Sequence, residues 1–281
     1  MSAAVPDRSE AVEIGGRLVR LTSLDRVLWP STGFTKRDMV SYYRSVADRL
    51  IPYLAGRPLT LGRFPMGVDG PGWAQTECRG RPDWMPTAPV RLRSGALRRY
   101  CLVEDEASLV WVANQGAIEL HPFLWRNEEP ERPLEIVFDL DPGPGVRWTE
   151  LCRTALLIRE ELDRRGLGAW AKSSGAAGIH VHVPLEVEAP LERSFTATKR
   201  FARQVAGRLA ASHPDLVVDR MDRSLRTGRT FVDWMQNEAR RSIVAPWSLR
   251  ATDVPSAAVP LEWSRLERCR PPRTVVGEAR G

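Results

Sequence analysis

The chain has 281 residues, 43% hydrophobic and 27% charged, which suffices for one large core or two modest ones. It contains no run of about 18 apolar residues, so no helical membrane span is expected, and residues 1–7 lack the charged-then-apolar pattern of an export signal, which points to the cytoplasm. The net charge of +6 is carried almost wholly by arginine, a side chain suited to phosphate contacts.

Residues 1–10 read as a disordered N-terminus, 11–270 as one domain, and the Pro/Arg-rich residues 271–281 as a mobile tail. Residues 12–14 and 18–21 flank Gly15-Gly16, the pattern of a β-hairpin. Thr35-Lys36-Arg37-Asp38 resembles a capping box, and Met39, Tyr42, Tyr43, Val46 and Leu50 then recur at helical spacing until Pro52 ends the helix. Arg26 and Lys36 flank that helix start, where outward N–H groups offer an anion site, although two plain surface cations fit equally well. Residues 58–64 read as a strand, and 65–89 as a long loop that mixes Trp73, Gln75, Arg79, Arg81 and Trp84, a composition suited to stacked bases and phosphates. A strand at 100–103 and an apolar helix at 108–117 follow; His121 then sits at a strand end before Pro122. The four cysteines are widely spaced, with no Cys-x-x-Cys pair, and read as reduced thiols.

The most informative stretch is Leu134-Glu135-Ile136-Val137-Phe138-Asp139-Leu140-Asp141-Pro142-Gly143. Side chains on a strand alternate faces, so Asp139 and Asp141 point the same way while Leu140 points into the core. Two adjacent carboxylates repel unless a cation or a shared proton lies between them, and a hard divalent ion suits oxygen ligands. Thr149 is expected to cap a helix ending near Gly166. A small-residue turn, Ser173-Ser174-Gly175-Ala176-Ala177-Gly178, then runs into a strand bearing His180 and His182 on one face. Its glycines let backbone N–H groups approach an anion. Residues 194–212 read as a helix with a basic outer face, and Asp233 lies in the β-type run Thr230-Phe231-Val232-Asp233-Trp234, where an acid needs a partner or a metal. Three strand acids, a Gly turn ending in His180, and Arg226 and Arg250 form one set. Two divalent ions bridged by carboxylates can activate a 3′-hydroxyl and hold a triphosphate, with arginines neutralising the phosphates. That chemistry is in-line nucleotidyl transfer.

These motifs, in order, are Val137-Phe138-Asp139-Leu140-Asp141-Pro142-Gly143, Ser174-Gly175-x-x-Gly178-Ile179-His180, Ser224-Leu225-Arg226, Phe231-Val232-Asp233-Trp234-x-Gln236-Asn237 and Ala245-Pro246-Trp247-Ser248-Leu249-Arg250. Together they resemble the polymerase domain of bacterial ligase D, in the archaeo-eukaryotic primase superfamily. The resemblance implies an α/β (α+β) fold of two mixed, largely antiparallel β-sheets with flanking helices around a central catalytic cleft. It implies template-directed addition of nucleotides, ribonucleotides preferred, at DNA gaps or broken ends, with two Mn²⁺ or Mg²⁺ ions. Asp139, Asp141 and Asp233 would hold the metals. His121, Ser174, Gly175, His180, Arg226, Gln236 and Arg250 would hold the NTP or dNTP, and Arg26, Lys36, Arg63 and Trp73 the DNA with its 5′-phosphate. A nucleoid-associated protein working with a separate ATP-dependent DNA ligase and a Ku-type end-binding protein is implied as well, since the ligase and nuclease modules are absent from these residues.

The chain departs from that pattern at Ala177 and Gly62, where the family carries lysines, and at Trp73-Ala74-Gln75-Thr76, where it carries a Phe-Phe pair and a further lysine. Each missing cation removes on the order of 1–3 kcal/mol of phosphate binding where the contact is charge-assisted. Two rivals follow. A haloacid-dehalogenase-type phosphatase also has an apolar strand ending in Asp-x-Asp, but it leaves the Gly/His motif unexplained. A DNA 5′-phosphate end-binding protein with little polymerase activity would account for the missing lysines but not for the three acids.

Overall fold

The computed structural model describes residues 9–185 and 192–277; residues 1–8 and 278–281 of the two expected mobile ends lie outside them. The fold is mixed α/β and is organised in two compact units. The first takes the residues up to Pro122, Trp247–Ser256 and those from Val275 on; the second takes Phe123–Pro246 and Ala257–Thr274. Among the described residues no helix is long and apolar enough to cross a membrane.

In the first unit β1 (Glu10–Ile14) and β2 (Arg17–Leu21) form the expected hairpin. Its two-residue turn needs positive φ at both positions, and Gly15 and Gly16 supply 56° and 74°. Glu10, assigned to the disordered end by the sequence, pairs with Leu21 instead. Strands β3 (Val27–Trp29) and β4 (Phe34–Thr35) lead into α1 (Lys36–Ser45), whose capping box between Thr35 and Asp38 is formed. The single helix expected here is two: α1 stops at Val46, and α2 (Ala47–Leu54) carries Pro52 inside it. Pro52 forfeits one backbone bond, but the buried face of Ala47, Leu50 and Leu54 outweighs that loss.

The main sheet of this unit contains β5 (Leu59–Arg63), β6 (Trp73–Gln75), β7 (Thr87–Arg91), β8 (Leu97–Cys101) and, after α3 (Glu106–Asn114), β9 (Ala117–Pro122). All its pairings are antiparallel. The stretch 65–89, expected to be structureless, holds β6 and the start of β7 because Trp73 folds back to pair with Arg63. Cys78 and Cys101 are joined in a disulfide, against the expectation of four reduced thiols; Cys152 and Cys269 are free. The Cys78 N–H bonds to the Arg99 carbonyl at 2.8 Å, so the sheet brings together two cysteines 23 residues apart, which their spacing alone does not reveal. Val275 bridges to Ser256 and Val276 bonds to the Pro255 carbonyl, so this part of the expected mobile tail is tied down.

The second unit is built on β10 (Glu135–Pro142), α4 (Trp148–Asp163), β11 (Trp170–Ser173), β12 (Ile179–Pro184), α5 (Phe195–Ser212), β13 (Val217–Val218) and β14 (Thr230–Asp233). Its six-stranded sheet runs β13-β14-β10-β12-β11, with the short strand Pro260–Leu261 at the edge. One pair, β13 with β14, is parallel, and the others are antiparallel. Period-2 alternation divides the two faces. Ile136, Phe138, Leu140, Ile179, Val181, Val183 and Val232 enter a core that also takes Leu151, Ala155 and Ile158 of α4 and Phe201, Val205 and Leu209 of α5. The opposite face carries the polar residues of interest. Helix α4 is capped at Arg147, two residues before the expected cap at Thr149, because Glu150 reaches back to the Arg147 N–H.

Candidate active site

The register of the second sheet sets out the acids. Asp139 on the central β10 lies opposite His180 of β12 on one side and Asp233 of β14 on the other. Lys172 of β11 lies opposite His180, so Asp233, Asp139, His180 and Lys172 form a row across four strands. Asp141 is two residues along β10 on the same face, opposite Phe231. The two aspartates of the opening motif therefore share a face, and Asp233 joins them.

Both oxygens of Asp139 are engaged. His180 Nε2 lies 3.2 Å from Oδ1, and Gln236 donates to Oδ2 at 3.3 Å. Asp233 accepts from the Met235 N–H at 2.7 Å, turning one oxygen back onto its own turn. Burial pushes the Asp233 carboxyl above its usual range, and the neighbouring charge of Asp139 pushes the same way; the Met235 N–H, Arg241 and Arg226 oppose them. Two carboxylates set opposite each other repel, and a divalent cation between them relieves that repulsion. Among the described residues, however, no group of three or more His, Cys, Asp or Glu side chains already converges as a ligand set. The donor chemistry fits a hard cation: Asp233 gives one acceptor site to the Met235 N–H, and an ionised carboxylate keeps further sites on both oxygens.

The turn after β11 has a local cause. Gly175 takes a φ of 74°, and the Ser174 hydroxyl accepts from Gly178 N at 2.9 Å and Ala176 N at 3.2 Å, closing the loop. A Cβ on Gly178 would sit 2.7 Å from the Leu140 carbonyl, so only glycine lets the turn lie against β10. Arg226 is placed in a similar way. The Gly143 N–H bonds to the Arg229 carbonyl at 3.1 Å, and the Arg226 guanidinium lies 3.8 Å over the Phe231 ring while donating to the Met221 carbonyl.

In the first unit, His121 and Arg250 meet on Glu119. Glu119 Oε2 is 2.8 Å from His121 Nε2, and Oε1 accepts from Arg250 Nε at 2.9 Å and from Ala251 N at 3.0 Å. Burial alone would raise the Glu119 carboxyl; the His121 hydrogen bond, the Arg250 and His121 charges and the Ala251 N–H overcome it and hold the group at about 2. The expected DNA contacts divide. Trp73 is exposed, with the Arg63 guanidinium 5.3 Å from its ring. Arg63 also donates to the Gln115 carbonyl and to Gln75, and Arg26 is exposed and donates to the Pro65 carbonyl at 2.8 Å. Lys36 is buried and donates to the Thr22 carbonyl at 2.7 Å, so the structure does not present it as a surface cation. Glu119 and Lys172 were not singled out from the sequence; each stands two residues from a site residue, on the same strand face as His121 and beside the Ser174 turn.

The second sheet of this α/β fold brings Asp139, Asp141 and Asp233 to one face, and comparison places that arrangement in a family. The LigD primase-polymerase domain pattern matches residues 35–279, and the chain belongs to that family. It is 38% identical over 258 residues to a multifunctional non-homologous end joining DNA repair protein LigD of Mycobacterium tuberculosis, covering 89% of this chain and 33% of that protein. It is 29% identical over 250 residues to the bifunctional LigD of Bacillus subtilis, covering 89% of this chain and 39% of the relative. The chain thus spans about a third of the length of the curated relatives it matches. Among solved structures, a polymerase domain of Mycobacterium tuberculosis ligase D in complex with DNA superposes with a TM-score of 0.85 at 36% identity, covering 92% of this chain and 91% of that one.

Proposed function

We propose that the chain is a template-directed polymerase that adds nucleotides, ribonucleotides in preference, at DNA gaps or broken ends during double-strand-break end joining. The observation that carries this reading is the register that sets Asp233 opposite Asp139, with Asp141 on the same face. Asp139, Asp141 and Asp233 would hold two Mn²⁺ or Mg²⁺ ions, which when bound supply Lewis acidity to an attacking 3′-hydroxyl and to the triphosphate. The protein's own groups bind and orient. Gln236 and His180 fix the Asp139 carboxylate, Arg226 offers a guanidinium already seated on Phe231, and His121 and Arg250 offer further nitrogen groups to the nucleotide. Ser174 shapes the glycine turn whose backbone approaches the nucleotide. Arg26, Arg63 and Trp73 are assigned to DNA, Trp73 by stacking and the arginines through phosphate. The relative in the solved complex is bound to DNA, and the curated relatives are named for end joining, which supports extending both properties to this chain together with a partner ligase and a Ku-type protein.

The test is extension of a primer across a gapped duplex bearing a 5′-phosphate, with NTPs or dNTPs and Mn²⁺ or Mg²⁺. Template-matched extension is expected, at least 100-fold slower in Asp139→Ala, with NTPs favoured. DNA binding without extension, unchanged by the mutation, would leave an end-binding protein in place of a polymerase.

A further inference from the structure

We infer that Glu119 is the positioning residue of a triphosphate grip, holding His121 and Arg250 in one fixed arrangement. The inference rests on the polymerase reading for the identity of the ligand and on the geometry of the first unit for the role.

Three features of Glu119 go beyond an incidental ion pair. Its two oxygens serve different partners. Oε2 meets His121 Nε2 at 2.8 Å, while Oε1 takes Arg250 Nε at 2.9 Å and the next backbone N–H, Ala251, at 3.0 Å. The carboxylate therefore fixes an imidazole on its own strand and a guanidinium more than a hundred residues away in sequence, including the backbone that carries that guanidinium. Binding through His121 Nε2 also turns the opposite nitrogen, Nδ1, away from Glu119, which selects the edge of the ring that can face a ligand. Finally, the strand pairing is cut to fit. Glu119 lies opposite Gly62 on β5, and a Cβ at 62 would stand 2.8 Å from the Glu119 Cβ and 3.2 Å from its Cγ. The carboxylate reaches its two partners through space that only glycine leaves open.

Glu119 itself touches no phosphate. It removes rotational freedom from the His121 and Arg250 side chains before a ligand arrives, so a polyanion meets groups already ordered. A glutamate serving stability alone would not require its partners to be two side chains assigned to the nucleotide.

The experiment is isothermal titration of inorganic triphosphate into the full chain, well below its melting temperature, for wild type, Glu119→Ala, Glu119→Gln, His121→Ala, Arg250→Ala and the Glu119→Ala/Arg250→Ala double variant. Glu119→Ala is expected to weaken binding at least tenfold. Glu119→Gln, which keeps an acceptor for Arg250 and Ala251, is expected to recover much of that loss. The double variant is expected to lose less than the two single losses added together, because the part of the Glu119 effect exerted through Arg250 is already gone while the part exerted through His121 remains. Thermal melts identify variants that fail to fold; a stability role would lower melting while leaving the affinity of the folded protein unchanged. Glu119→Ala binding within twofold of wild type overturns the inference, as does wild type with no triphosphate affinity. Glutamate-dependent triphosphate binding without primer extension would uphold the grip and remove the polymerase reading.

Discussion

Gly62 illustrates how a single residue can change the meaning of a missing charge. By resemblance its position calls for a lysine, and its absence first reads as a lost phosphate contact. In the structure the glycine faces Glu119 across β5 and β9, and any Cβ there would press on the Glu119 stem at 2.8 Å. Restoring the lysine should therefore harm more than help. Gly62→Lys is expected to lower stability by about 1–3 kcal/mol through overpacking, without tightening triphosphate binding. Denaturant melts and titration calorimetry check this; an unchanged melt with tighter binding would show that the space is not needed. Lys36 is a comparable case: expected as an anion or DNA-phosphate contact or else as a plain surface cation, it is buried and donates to the Thr22 carbonyl.

At the level of elements, the second sheet does most to build the site. Ile136, Phe138 and Leu140 of β10, Ile179, Val181 and Val183 of β12 and Val232 of β14 go to one core, and alternation leaves Asp139, Asp141, His180 and Asp233 together on the other face, which also carries Val137 and Phe231. A one-residue slip of β14 would move Asp233 into the core and Val232 out, so the pattern that buries Val232 also aims the acid. The ends of these strands are fixed by close backbone contacts. A Cβ on Gly143 would lie 1.8 Å from the Arg226 carbonyl and 2.7 Å from that of Arg229. Gly143→Ala is thus expected to push out the loop that carries Arg226, costing about 1–3 kcal/mol of stability and weakening nucleotide binding severalfold, with little effect on binding to DNA. Equilibrium unfolding together with nucleotide and DNA titrations would show it; a wild-type profile in all three would mean that the loop position is not set by Gly143.

For the molecule as a whole, the sequence made some features legible and concealed others for identifiable reasons. Asp139 and Asp141 were readable because alternation acts over two residues, and Thr35 with Asp38 because a capping box acts over three. The link from Glu119 to Arg250, the row from Asp233 to Lys172 and the Cys78–Cys101 disulfide depend on which strands become neighbours, and spacing in one chain does not encode that. Glu119 could have been noticed two residues before His121, since side chains at that spacing share a face. Strand β6, hidden in what looked like a loop, forms through its pairing to β5, not through strong β-propensity of its own. The three acids are assigned to divalent ions in nucleotidyl transfer. Electron paramagnetic resonance of Mn²⁺, titrated into the protein with a non-hydrolysable nucleoside triphosphate, tests that assignment most directly. Saturable binding of two ions is expected, falling sharply in Asp139→Ala and in Asp233→Asn, with both variants folded. Equal Mn²⁺ binding in all three proteins would contradict the assignment.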